Sequence, residues 1–157
     1  MNSRSTKKVN IQSSKIDNLE YGKNCKIVEP VNIYNSKLGD RVTIGPFVEI
    51  AGAKISSGTT ISSHSFVCEK VEIGKNSFIG HSVTFTNDLF KPEKLKHGKK
   101  RLKKTIVGNN VKIGSGSTIL PVKICSGCII GAGSVVNKNL DIKGIYIGNP
   151  ARLIRKL

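Results

Sequence analysis

The sequence has no tryptophan, one methionine and only 5% aromatic residues. That scarcity argues against a sandwich core built on large rings. No stretch approaches the roughly 18 apolar residues that a membrane helix needs, so no membrane association is expected. The first residues, MNSRSTKKVN, are polar and basic, and no apolar segment follows them. No secretory signal is therefore expected, and a cytoplasmic location is. Four cysteines are scattered along the chain, and only Cys125 and Cys128 have C-x-x-C spacing. With no histidine or second such pair beside them, no metal site is expected; they read as small buried thiols of a reducing compartment. Acidic residues are few, 10 against 26 lysines and arginines, for a net charge of +16. Such an excess calls for an anionic partner, either a nucleic acid or a phosphate-rich small molecule.

Isoleucine and valine together number 33, against 9 leucines and 4 alanines, and glycine numbers 16. Good helix formers are scarce and β-branched residues abundant, so the chain reads as all-β with many turns. Its 157 residues suit one domain, spanning 1–157. Apolar anchors recur every five or six residues and sort by threes into columns. The first column holds Ile11, Ile27, Ile44, Ile61, Ile79, Ile113, Ile130 and Ile147. The second holds Ile16, Ile33, Ile50, Val67, Phe85, Ile119 and Val136. The third holds Tyr21, Leu38, Ile55, Ile73, Val107, Ile124 and Ile142.

This is a hexapeptide repeat, and its physical reading is a solenoid. Each hexad is a short strand and a turn, and three hexads close a triangular coil. About seven coils at the interstrand spacing of about 4.8 Å would stand roughly 34 Å tall. Glycines that follow many anchors, such as Gly45, Gly74 and Gly80, are expected to take turn conformations closed to side chains. Five-residue steps recur between the second and third columns (33→38, 50→55, 119→124), so one corner should be tighter than the others. Spacing alone leaves the handedness open.

The same corner carries one large interruption. Residues 88–104 are expected to form a protruding loop, whose KPEKLKHGKKRLKK segment holds eight basic residues and one acid. Long loops on rigid scaffolds usually carry function. Residues 148–157 read as a C-terminal tail.

Glu69 and Asn87 each lie two residues after a second-column anchor, so they should stack in neighbouring coils about 4.8 Å apart. The same offset places Pro121 and Lys138 on that line. His81 lies two residues after Ile79, at a different corner. His64 reads as structural, and His97 lies in the basic loop.

The segments SHSFVCEKVEIG, FIGHSVTFTNDLFKP, IGSGSTIL, IIGAGSVVNK and GNPARLIRKL resemble the bacterial nucleotide-sugar N-acetyltransferases of the hexapeptide-repeat superfamily. The resemblance covers roughly residues 25–157. It implies a left-handed parallel β-helix, acetyl-CoA as cosubstrate, a homotrimer and active sites between subunits. It also implies acetylation of a dTDP- or UDP-linked amino sugar for cell-surface glycans, with a dTDP-3-amino-3,6-dideoxyhexose as the leading candidate.

On that reading Asn87 would accept a hydrogen bond from the attacking amine, and Glu69 would accept from the amine or a neighbouring hydroxyl. The leaving thiolate would take the proton. A backbone N–H near Ser117 would serve the thioester carbonyl. Lys138, Arg152 and Arg155 would hold the adenosine end of CoA. Three alternatives stand beside it. His81 could be a general base, as in many relatives; the acceptor could be a hydroxyl; or the basic loop could belong to a nucleic-acid-binding module. The loop has no interleaved aromatic beyond Phe90, which disfavours the last.

Overall fold

The computed structural model describes residues 14–89 and 102–157. Anchor Ile11, His97 and the core of the basic loop lie outside the described residues. Within them the chain is a left-handed parallel β-helix of about seven turns, without helices.

Face one stacks β2 (Lys26–Ile27), β4 (Thr43–Ile44), β7 (Thr60–Ile61), β10 (Phe78–Ile79), β13 (Lys112–Ile113), β16 (Ile129–Ile130) and β18 (Gly144–Ile147). Face two stacks β3 (Asn32–Leu38), β5 (Glu49–Ala51), β8 (Phe66–Val67), β11 (Thr84–Phe85), β14 (Thr118–Ile119) and β17 (Val135–Val136). Face three continues β3 upward through β6 (Lys54–Ile55), β9 (Val71–Ile73), β12 (Thr105–Val107) and β15 (Lys123–Ile124). β1 (Lys15–Tyr21) pairs along the whole of β3.

The tight corner is explained by β3 itself. It runs unbroken from Ile33 on face two to Leu38 on face three. Five residues turn this corner because the chain bends as a strand rather than looping out.

The anchors form ladders of parallel partners: Ile44 over Ile61, Ile33 over Ile50, Ile55 over Ile73. Ile44, Ile61, Ile79 and Ile113 are wholly buried, as are Ile50, Phe85 and Ile119 on face two. Residues two before an anchor also point inward. Val42, Val83 and Val111 fill space there, and Ser65, Ser77 and Ser134 donate their hydroxyls to carbonyls of glycines at the turns.

Three expectations are corrected at this level. The last first-column rung is Tyr146, not Ile147: Tyr146 pairs with Ile130, while Ile147 is 46% exposed. The Tyr146 ring fills the ladder position, and its hydroxyl donates to the Ile142 carbonyl at 2.7 Å, so burial strands no polar group. The last third-column rung is Leu140, bridging Ile124, while Ile142 stands 47% exposed. There the turn after Val136 is short, and a fixed step overshoots it. Residues 148–157 are no loose tail, because β19 (Arg152–Lys156) folds back antiparallel on β18.

A further expectation is corrected: Gly45, Gly74 and Gly80 do not take a conformation closed to side chains, and these glycines are needed for another reason. The left-handed region is occupied elsewhere, by residues such as Gly58 (φ 73°) and Asn76 (φ 53°). A Cβ on Gly80 would sit 2.6 Å from the Ser115 nitrogen, and one on Gly108 2.6 Å from the Ser126 nitrogen. These glycines let successive coils approach each other.

Candidate active site at the loop corner

Face two ends where the long loop departs, and the two sequence-selected polar residues meet there. The Asn87 amide donates to the Glu69 main-chain carbonyl at 3.1 Å, linking neighbouring coils. That bond consumes one N–H of the amide and leaves its oxygen able to accept. Glu69 lies over Gly52, where a Cβ would come 2.9 Å from the Glu69 Cγ. Gly52 (φ 62°) thus gives the carboxylate stem its bed. A cleft of about 320 Å³ opens here, walled by Phe66, Cys68, Glu69, Thr84, Asn87 and Asp88. Glu69 also walls a second cleft with Lys54, Lys70 and Lys104.

The loop neck is closed by the same residues. Lys103 N–H donates to the Asn87 carbonyl at 2.7 Å, and the Lys70 ammonium donates to the Leu102 carbonyl at 3.2 Å. Asn87 therefore sits where departing and returning chain are clamped, two residues after Phe85 in the same coil. Cys68, beside Glu69, is a poor nucleophile: burial pushes its thiol up to about 11, so it stays protonated at neutral pH.

At the returning strand Lys104 pairs with Glu72 at 2.7 Å, and Lys54 approaches the same carboxylate at 3.4 Å. The bond from Lys104 is the largest influence holding the Glu72 carboxyl below its ordinary value. A depressed carboxylate stabilises the fold above its unfolded value and loses that contribution as pH falls through the folded one. Solvent screens this pair, so its worth is under about 1 kcal/mol. Thermal melts of wild type and Glu72→Gln should therefore differ at pH 7 and converge below the carboxylate range. A constant gap down to acid pH would contradict this account.

The other candidates divide. Lys138 and Arg152 wall one cleft of about 290 Å³ near the C-terminal end. Arg155 lies on β19 opposite Ile145, exposed. The Ser117 side chain is wholly buried, its one hydroxyl proton shared between the carbonyls of Gly114 (2.8 Å) and Gly131 (3.1 Å), and its main-chain N–H is a separate group. It lies two residues before an anchor, so it faces the core and holds the turns together.

Residues 104–138 match the family model described as the hexapeptide repeat of succinyl-transferase. The bifunctional protein GlmU of Streptococcus uberis is 28% identical over 139 residues, covering 83% of this chain and 30% of that protein. GlmU of Thermodesulfovibrio yellowstonii is 34% identical over 114 residues, covering 72% of this chain and 23% of that protein. The chain thus spans under a third of these curated relatives. Among solved structures, a variant of AntD, an N-acyltransferase from Bacillus cereus, superposes with a TM-score of 0.67 at 28% identity. The match covers 87% of this chain and 82% of AntD, which was crystallised with dTDP-4-amino-4,6-dideoxyglucose and coenzyme A.

The chain belongs to the hexapeptide-repeat acyltransferase superfamily.

Two features of this hexapeptide-repeat chain lie away from the loop corner. His81 is exposed in the turn after β10, and its Nδ1 lies 2.8 Å from the Ser63 hydroxyl, which fixes the ring. Cys125 and Cys128 are free thiols with Sγ atoms 3.3 Å apart, and burial raises the Cys128 thiol to about 11. Among the described residues no helix is long and apolar enough to cross a membrane. Among them, too, no cluster of three or more His, Cys, Asp or Glu side chains gathers to hold a metal ion.

Proposed function

We propose that this protein transfers the acetyl group of acetyl-CoA to the amine of a nucleotide-linked amino sugar. One observation carries the reading: Asn87, clamped by the Glu69 carbonyl and by the loop neck, lines a cleft shared with Glu69. The scaffold's likeness to AntD, which holds a dTDP-amino sugar and CoA, supports it.

The chemistry needs a neutral amine held in line with the thioester carbonyl. Asn87 Oδ1 accepts from the amine N–H and directs the lone pair outward. The nitrogen attacks the carbonyl carbon, the C–S bond breaks, and the CoA thiolate takes the amine's proton. No dedicated base is required. Lys138, Arg152 and Arg155 supply cationic contacts to CoA phosphates, and the first two already share a cleft. Active sites lie between the subunits of a homotrimer, in the cytoplasm, where acetyl-CoA is made. The product serves cell-surface glycan assembly.

A thiol-release assay with acetyl-CoA and a panel of dTDP- and UDP-amino sugars tests this. Turnover is expected with an amino-dideoxyhexose on dTDP, and the panel separates the 3-amino sugar favoured here from the 4-amino sugar held by AntD. Absence of turnover with every amine would refute it.

One observation favours a second reading, transfer to a hydroxyl. The His81 ring, oriented by Ser63, is arranged as a general base. His81→Ala should leave the amine reaction within about threefold of wild type and abolish a hydroxyl reaction.

A further inference from the structure

The corner between faces one and two holds side chains that its turns do not ask for. At this position successive coils place Phe47, His64, Ser82, Gly116 and Gly133, all at positive φ. Small residues suit that conformation, whereas a bulky ring there is an outlier, and such outliers cluster at functional sites. Phe47 (φ 59°) is nonetheless 57% exposed, and its ring stacks on His64 with centroids 4.8 Å apart and planes 26° from parallel.

Phe47 also walls a cleft of about 620 Å³, together with Pro30, Asn32, Glu49 and Lys15. That volume is typical of small-molecule sites. Glu49 is held by the Tyr34 hydroxyl, which donates to its Oε1 at 3.2 Å and leaves Oε2 as an acceptor for the cleft. The cleft therefore offers a fixed aromatic face, a carboxylate acceptor and an amide.

We infer that this cleft binds the base of the nucleotide sugar, and that it selects a pyrimidine-2,4-dione, thymine or uracil. The inference rests on the proposed function and deepens it. A dione ring stacks on Phe47. Its imide edge reads acceptor, donor, acceptor: Glu49 accepts from the ring N–H, and Asn32 donates to a flanking carbonyl. Cytosine presents a bare ring nitrogen to Glu49 at the same place and is disfavoured. Lys15 offers a cation to the attached phosphates.

The two clefts lie beside each other on face two. β5 begins at Glu49 in this cleft and ends at Ala51, which lines the Asn87 cleft. Glu49 is also in register with Phe66 of that second cleft. Glu49 and Ala51 are two residue steps, about 7 Å, apart, and each coil adds about 4.8 Å, so one nucleotide sugar can lie along face two with its base at Phe47 and its amine at Asn87.

The absence of tryptophan makes the test direct, because Phe47→Trp installs the chain's only indole. Titrating that full-length variant with dTDP and UDP should quench its fluorescence saturably, with midpoints about tenfold below that of CDP. Adding Glu49→Gln should raise the dTDP midpoint and erase the preference over CDP, with circular dichroism confirming that each variant is folded. Phe47→Ala should raise KM for the sugar nucleotide about tenfold with kcat within twofold, as expected for a contact made equally before and during reaction. If dTDP inhibits the transferase competitively yet neither quenches the indole of the Phe47→Trp variant nor depends on Glu49, the inference is overturned while the transferase reading stands. If quenching and its Glu49 dependence appear but no amine is acetylated, the base site stands and the transferase reading fails. Absence of both effects overturns the two together.

Discussion

Asn87→Ala should lower kcat/KM for amine acetylation on the order of 10²-fold, equivalent to about 2.7 kcal/mol of transition-state stabilisation. The structure makes this a clean substitution. The neck bond from Lys103 runs to the Asn87 main-chain carbonyl and survives the change. Only the amide is lost, and with it the acceptor that orients the amine. Asn87→Asp should be no rescue, because a carboxylate cannot donate to the Glu69 carbonyl and would be pushed away from it. Glu69→Ala should cost less, since the thiolate takes the proton and Glu69 only shapes the amine's surroundings. Steady-state kinetics on the three variants decide the matter. An Asn87→Ala enzyme near wild type, beside a His81→Ala enzyme that has lost both activity and the pH dependence of a base, would move the chemistry to the other corner of the prism.

Phe85→Ala should destabilise the fold by about 3–5 kcal/mol. Phe85 is wholly buried and is the largest such side chain among the described residues. It packs on face two between Val67 below and Ile119 above, so truncation opens a cavity in the ladder just under the loop exit. Phe85→Leu should recover most of the loss, because it keeps a hydrophobic filler in a rung whose coil spacing is set by backbone hydrogen bonds. Denaturant unfolding of the three proteins measures this. A loss below about 1 kcal/mol for the alanine variant would mean that neighbouring rungs close over the gap.

The repeat is legible because a solenoid's core is local in sequence. Each coil buries its own anchors, so the period along the chain is the period in space. Columns, tight corner, loop site and the pairing of Glu69 with Asn87 follow from counting alone, and the ladders reproduce them from Ile27 to Val136. Counting fails where the repeat ends. The last coil is closed by a returning strand, and only that closure makes Leu140 and Tyr146, rather than Ile142 and Ile147, complete the columns.

Architecture, and the corner where polar residues stack, can therefore be read from the chain alone, since both depend on spacing within a few residues. Whatever depends on neighbouring coils and on direction needs the folded molecule. The Ser117 hydroxyl is turned inward, two residues before its anchor, where it meets glycine carbonyls of two coils. The glycines after the anchors serve coil-to-coil approach, a distance invisible along one coil. The Phe47 and His64 rings are 17 residues apart and share no motif. They meet because one coil stacks on the next, and only that stacking sets an aromatic face beside Glu49 and Asn32.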